Sequence, residues 1–245
     1  MADDQESRQT PIEPVERNEF RLSEDPLGSA VAYLRGNARP TGEEPFPLRK
    51  RNAVRQRNAL VQWAADRGLI LDPSRWQDLL TIGGSEHDIW EQAGEIWKIT
   101  RPDHFGWTVL AGFEGLPEIS EATPLEYLER WVNANHFLGD SVILRGISNT
   151  PAGVQVIISQ PFISGAYPKK EKIREELEPR GFHPIPGFSI GSEADSTFYH
   201  AESGLAMFDA ARDNFILSHG TPIPVDVILM QVGPRLRHQL LQLSA

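Results

Sequence analysis

The sequence predicts an α+β fold built on antiparallel hairpins, and three observations carry that expectation. From Ile82 to Ile99 the chain alternates in the manner of strands around glycine turns. From Thr123 a helix opens with a full set of start signals. Between Val142 and Ile158 two β-rich runs flank a turn-forming cluster.

In the first region Ile82-Gly83-Gly84-Ser85-Glu86-His87-Asp88-Ile89-Trp90 reads as strand, glycine turn and strand, and Gly94 turns the chain into Glu95-Ile96-Trp97-Lys98-Ile99. Side chains alternate along a strand, so Lys98 and Ile96 share one face while Trp97 and Ile99 take the other. On that face Lys98 could reach phosphate while Ile96 lies against a purine ring. Alone, a strand lysine is more often an edge charge against aggregation.

An irregular segment is expected next, before Thr123-Pro124-Leu125-Glu126-Tyr127-Leu128-Glu129-Arg130-Trp131-Val132. Thr123 is the N-cap, Pro124 fits the first helical position, and Glu126 completes a capping box. Leu125, Leu128, Trp131 and Val132 recur at helical spacing. Glu126 is the preferred ion-pair partner for Lys98. If Glu126 only closes the capping box, Glu129 takes that role or no pair forms. Asn149-Thr150-Pro151-Ala152-Gly153 then joins the runs Val142–Leu144 and Val154–Ile158, and Ser159-Gln160-Pro161-Phe162-Ile163 follows as a hinge in which Pro161 lacks a backbone donor.

The densest chemistry lies later, in Phe208-Asp209-Ala210-Ala211-Arg212-Asp213-Asn214 and Pro224-Val225-Asp226-Val227-Ile228. Phosphoryl transfer needs charge placement more than covalent help: a carboxylate to orient the acceptor hydroxyl, and an amide and a second carboxylate for Mg²⁺. Asp209, Asn214 and Asp226 supply these groups in the D-x-x-x-x-N and later-Asp order of kinase-like catalytic loops. Asp209 and Asn214 also suit simple turns. Asp226 is the sharpest member, because a carboxylate in an apolar run costs several kcal/mol unless paired or metal-bound.

This order of motifs resembles the serine/threonine/tyrosine kinase-like domain of phage and mobile-element polyvalent proteins, over roughly residues 75 to 232. The resemblance rests on Gly83-Gly84-Ser85-Glu86-His87, Lys98, Pro124 to Leu128, Gln160-Pro161-Phe162-Ile163, Phe208-Asp209 to Asn214, and Val225-Asp226. It implies a minimal two-lobed protein kinase-like fold, with an antiparallel N-lobe sheet and helix and a shortened, mainly helical C-lobe. The chain then divides into an N-terminal arm over 1–46, whose content of Glu, Arg, Pro and Gln predicts a segment largely flexible or draped over the domain, an N-lobe with its preceding helix over 47–160, and hinge and C-lobe over 161–245. ATP and Mg²⁺ are the implied cofactors. Lys98, Glu126 and Asp209 take catalytic roles, Asn214 and Asp226 hold metal, and Gly83, Gly84, Ile89, Ile96, Gln160 and Phe162 line the nucleotide site with Lys98. The acceptor is a protein hydroxyl or a small molecule. Nucleotide binding without turnover and AMP transfer are the alternatives. The sequence departs from protein kinases at His87, where a third glycine is expected, at Met207-Phe208 before Asp209, and at Val227-Ile228 after Asp226.

Composition narrows the classes. Absence of cysteine excludes disulfides and thiolate metal sites and is compatible with a cytoplasmic location. A formal net charge of −10 argues against general nucleic-acid binding, so the cluster Arg49, Lys50, Arg51, Arg55 and Arg57 is read as the solvated face of an amphipathic helix. That helix, starting near Pro47 and stopping at Gly68, has Ala53, Val54, Leu60, Val61 and Ala64 as its expected apolar stripe. A weak apolar patch spans Leu27 to Leu34 within the arm. No apolar run approaches the roughly 20 residues of a membrane span. The seven histidines lack zinc spacing, and no G-x-S-x-G elbow occurs.

Overall fold

Helix α1 (Pro26–Asn37) and helix α2 (Phe46–Asp66) open the fold of the computed structural model, which describes residues 25–37, 46–76, 86–191 and 193–244. Strands β1 (His87–Gln92) and β2 (Glu95–Thr100) follow as a hairpin. Its two turn residues, Ala93 and Gly94, both take positive φ, the geometry whose twist matches that of paired strands. A ribbon of β3 (Trp107–Ala111) and β4 (Pro117–Glu121) leads to helix α3 (Pro124–Asn133), and β5 (Ile143–Thr150) and β6 (Gly153–Pro161) form a second hairpin. The first sheet runs β1-β2-β6-β5, antiparallel throughout, which places β2 inside it.

The capping box predicted for α3 is formed: Glu126 N–H donates to Thr123 Oγ1, and Thr123 N–H donates to Glu126 Oε2 at 2.8 Å. The three helices bury Leu27, Leu34, Leu60, Trp63, Leu125, Leu128 and Trp131 against one face of the sheet, represented by Val156 and Ile158. Trp76, Trp90, Ile99 and Ile157 cover the other face. Lys98 pairs in register with Ile158 and therefore faces the helices, while Ile99, opposite Ile157, faces the tryptophans.

Three expectations are corrected in this half. The arm over 1–46 is not flexible throughout: Pro26–Asn37 is a helix whose Leu27, Ala30, Val31 and Leu34 are buried at helical spacing. Asp25 caps it, accepting from Leu27 and Gly28 N–H. Gly83 and Gly84 lie outside the described residues, as do 1–24 and 38–45. The segment before Thr123 contains the β3–β4 ribbon, hidden in sequence by Pro117 and the glycines of its turn. The buried face of α2 is rotated from the expected stripe. It carries Arg49, Asn52, Gln56, Leu60, Trp63 and Ala64, and leaves Val54 exposed. Polar pairing turns the helix: Gln56 Oε1 accepts from Leu125 N–H at 3.0 Å, and Arg49 grips Glu126. Arg49 is therefore not on the solvated face, and Arg57 pairs with Asp103.

The C-terminal half is built chiefly on strands, which corrects the mainly helical lobe. Helices α4 (Lys170–Leu177) and α5 (Pro234–Leu243) flank β7 (Phe182–Pro184), β8 (Phe198–His200), β9 (Leu205–Phe208), β10 (Phe215–Ser218), β11 (Thr221–Pro224) and β12 (Ile228–Gln231). A second antiparallel sheet runs β12-β9-β8-β7, and β10 pairs with β11. In β9, Ala206 and Phe208 enter one apolar cluster with Ile228, Leu236 and Leu240, while Leu205 and Met207 enter another with Ile173, Phe215 and Leu229. Burial on both faces explains why this strand reads as an unbroken apolar run. The segment after β6 is stitched to β10, where Leu217 N–H donates to Ala166 O at 2.7 Å. A Cβ on Gly165 would lie 2.3 Å from Leu217 O, so only glycine permits that approach.

Leu34→Ala removes a fully buried side chain from the α1 contact and is expected to lower stability by about 2–5 kcal/mol in urea unfolding. A loss below about 0.5 kcal/mol would mean that α1 does not belong to the core.

Candidate functional site

Register builds the site. Phe208 at the end of β9 pairs with Ile228 at the start of β12, so Asp209 and Asp226, just beyond that pair, emerge at the same end of the second sheet. Asp209 takes φ 53°, a left-handed conformation that Asp tolerates better than most residues. Its carbonyl accepts from Asn214 Nδ2 at 2.7 Å, closing the loop, and Asn214 O accepts from Val225 N–H at 2.8 Å, tying that loop to the Asp226 segment. The positions picked out by spacing are thus one hydrogen-bonded unit.

Lys98 reaches this unit from β2. Its Nζ donates to Val225 O at 2.8 Å, lies 3.2 Å from Asp226 Oδ1, and sits 4.9 Å from the centroid of the Trp131 ring. Gln160 Nε2 donates to the same Val225 carbonyl at 3.2 Å. Ile89 lies opposite Lys98 in the β1–β2 register, and Ile96 lies opposite Gln160 between β2 and β6. Lys98, Ile89, Ile96 and Gln160 therefore share a sheet face, as the alternation predicts. Phe162 is half-exposed, and its N–H donates to Gly94 O at 2.8 Å, extending the pairing of β2 with β6.

The expected Lys98–Glu126 ion pair does not form. Glu126 closes the capping box and takes Arg49 in a two-pronged pair at 2.6 Å on each oxygen. Glu129 pairs with Arg35 at 2.7 Å. Both carboxylates lie on the side of α3 that meets α1 and α2, where arginines reach them. Arg130, one residue on, projects to the site instead. Its Nη2 holds Asp226 Oδ1 at 2.7 Å and Asp226 O at 2.9 Å, its Nε holds Val227 O at 2.8 Å, and its Nη1 holds Glu86 Oε2 at 2.7 Å. Glu86 Oε1 in turn accepts from Trp107 N–H at 3.1 Å.

The cluster consists of two cations and two carboxylates, and its members are mostly buried. Burial alone raises the Asp226 pKa, but Lys98 and Arg130 outweigh it and hold the carboxyl well below its ordinary range. Burial drives the Lys98 ammonium down, against the pull of Asp226. His87 is buried, and desolvation lowers its pKa to about 3, so the ring is neutral at physiological pH. Its Nε2 lies 2.9 Å from Tyr127 Oη, and its Nδ1 lies 3.9 Å from Asp226 Oδ2. Burial raises the Asp209 pKa to about 6, against the lowering effect of its Asn214 bond. Glu86, Trp107, Ile119, Ile190, Gly191 and Asp209 line an open pocket of about 390 Å³.

Sequence reading missed Arg130, Glu86, His87 and Tyr127 as members of this cluster. One signal was present: Tyr127, Arg130 and Trp131 recur at i, i+3 and i+4, extending the buried arc of α3 beyond its leucines. Among the described residues, Glu86, His87 and Asp226 each bring one potential ligand atom within 4.8 Å of the others. Lys98 and Arg130 already neutralise its carboxylates. No helix among the described residues is long and apolar enough to cross a membrane. Comparison with protein-family models, curated proteins and solved structures gave no match.

Asp226→Ala leaves Lys98 and Arg130 as uncompensated buried cations, with an expected loss of about 3–5 kcal/mol in urea unfolding. Adding Arg130→Met should recover part of that loss. Strictly additive losses in the double variant would show that the two side chains are not coupled.

Proposed function

We propose that this chain binds ATP with Mg²⁺ in a kinase-like arrangement and transfers a phosphoryl group to a hydroxyl acceptor. The observation that carries the reading is the convergence of Lys98, from the first sheet, on Asp226 and Val225, in the turn between β11 and β12, beside the Asp209–Asn214 loop. A lysine on an inner strand, a helix behind it and two joined segments that together carry two carboxylates and an amide are the parts that charge-stabilised phosphoryl transfer requires. The reading extends to a domain of the kind found in phage and mobile-element polyvalent proteins, on the motifs named above.

The residues present fit both groups. Gln160 Oε1 is buried with no hydrogen-bond partner, so the nucleotide face holds an acceptor awaiting a donor. Both cations act on Asp226 Oδ1, whereas Oδ2 is 3.9 Å from His87 Nδ1, beyond hydrogen-bond distance. Asn214 donates through Nδ2, which reserves Oδ1 as its ligating atom. Asp226 and Asn214 would hold Mg²⁺, which supplies charge neutralisation for the phosphates. Lys98 would exchange Asp226 for a phosphate oxygen. Asp209 would take the acceptor proton, in the pocket lined by Trp107, Ile119 and Ile190.

A second reading, nucleotide binding without turnover, is favoured by one specific observation. Asp226 is held by two cations, and the helix offers Lys98 an arginine as neighbour where an ion-paired glutamate was expected. ATP with Mg²⁺ is expected to raise the melting temperature, and γ-labelled ATP to pass label to an acceptor in a cell extract. Stabilisation without label transfer selects the binding module. Transfer from α-labelled ATP selects AMP transfer. No stabilisation by ATP with Mg²⁺ removes the proposal.

The pH dependence has a defined sign. Because the folded-state pKa of Asp209 is raised to about 6, its stabilising contribution is full below the unfolded value and is lost as pH rises through about 6. A proton acceptor must be ionised, so transfer activity should climb across the same interval and level off above it. Asp209→Asn should abolish transfer while leaving the ATP-induced melting shift intact. A flat pH profile between 5 and 8 would remove Asp209 from that role.

A further inference from the structure

The tip of the β3–β4 ribbon is pinned from inside the molecule. Gln239 of α5 is buried, and both ends of its carboxamide go to one residue of the turn: Nε2 donates to Gly112 O at 2.8 Å, and Oε1 accepts from Gly112 N–H at 3.2 Å. Gly112 N–H also donates to Leu116 O at 3.1 Å, and Phe113 N–H donates to Glu118 Oε1 at 3.2 Å. A Cβ on Gly112 would lie 2.2 Å from Leu116 O, so the turn closes only around glycine there. This turn carries Phe113, 86% exposed and the most exposed large apolar side chain among the described residues, together with Leu116 at 57%. A lone apolar side chain in a loose surface loop is ordinary. Here a buried glutamine is committed to holding the loop that displays it. An aromatic already held in place loses little freedom on binding, which is what makes an effective interface anchor.

A surface that would receive it lies at the other end of the same ribbon. Between α2 and the segment joining β4 to α3 opens a pocket of about 240 Å³, with Phe46, Ala53, Val54 and Phe105 as apolar walls and Lys50 beside them. A cavity of about 150 Å³ already holds benzene. Charge matches as well as size. Helix α2 carries five basic residues against one carboxylate, and Lys50, Arg51 and Arg55 are exposed on it. The ribbon carries Glu114, Glu118 and Glu121 and no basic residue. Of the two carboxylates in the pocket lining, Asp103 is paired with Arg57, and Glu121 is the other. Strand β4 advances about 3.4 Å per residue, which sets the tip about 17 Å from the pocket, so the tip cannot enter the pocket of its own chain.

We propose that this chain associates with itself head to tail, the turn 112–116 of one copy seated in the α2 pocket of the next. Phe113 enters the apolar walls, and Glu114 and Glu118 meet Lys50, Arg51 and Arg55. Two different patches make the contact, so the interface is heterologous and repeats from copy to copy until a ring closes or a filament grows. With one aromatic anchor it belongs at the small, transient end of protein interfaces. The inference is independent of the nucleotide reading.

The test is analytical sedimentation of the full chain. Wild type should show a weight-average mass that rises with concentration up to about 300 µM. Phe113→Asp removes the tip, and Val54→Glu sets a carboxylate in the pocket wall. Each should weaken association by about thirtyfold or more. Both positions are exposed, so both variants should melt with the wild type, and Lys50→Glu replaces Val54→Glu if that variant does not. An equimolar mixture of the tip variant and the pocket variant should form a dimer and nothing larger, because one intact tip meets one intact pocket. A wild type that stays monomeric throughout overturns the inference. So does association that survives either substitution, or a mixture that stays monomeric.

Discussion

The pairing of Asp226 with Lys98 and Arg130 is the interaction on which the arrangement of this molecule depends. Charges removed from water are tolerable only when geometry compensates them closely, and here every member has at least two partners. Arg130 joins α3 to the start of β12 through backbone and side chain together, and reaches Glu86 just before β1. Lys98 adds the inner strand of the first sheet. One carboxylate oxygen thus fixes the distance between a helix, a sheet and the loop beside Asp209. Packing alone would allow these elements to slide, whereas a planar guanidinium with defined donor directions sets their register.

Under the proposed function such a cluster would serve two ends that pull against each other. As a stabiliser it wants Asp226 saturated by cations. As a place for a metal–phosphate complex it would have to release one oxygen. The division between the two carboxylate oxygens would reconcile these demands, since both cations act on Oδ1. The neutral His87 ring, desolvated beneath Tyr127 and Trp131, adds no third positive charge.

Much of this was legible in the sequence because local rules and tertiary needs agree. The capping box at Thr123, the turn at Gly94 and the alternation that separates Lys98 from Ile99 are set within a few residues, and each is formed. The partnership of Glu126 was not legible, because α3 meets both other helices, and which carboxylate meets which arginine depends on how far each helix is rotated. Gln56 and Arg49 rotate α2 through polar contacts that hydrophobic periodicity cannot register. The strand-rich C-terminal half was obscured for another reason. Strands of three or four residues leave too few alternations to count, and β9, buried on both sides, does not alternate at all. Arg130 was passed over because an arginine within a helix is most often solvated.

The β9–β12 pair has a consequence for motion. Its inner strand β9, buried along its whole length and paired on both sides, is insulated from solvent on both faces, and the β9 amides should exchange on the timescale of complete unfolding. Asp209 and Asp226 are mounted on its end. Any displacement around the cluster is therefore expected on the opposite side, where β1, β2 and the β3–β4 ribbon lie, with the carboxylates as the stationary anvil.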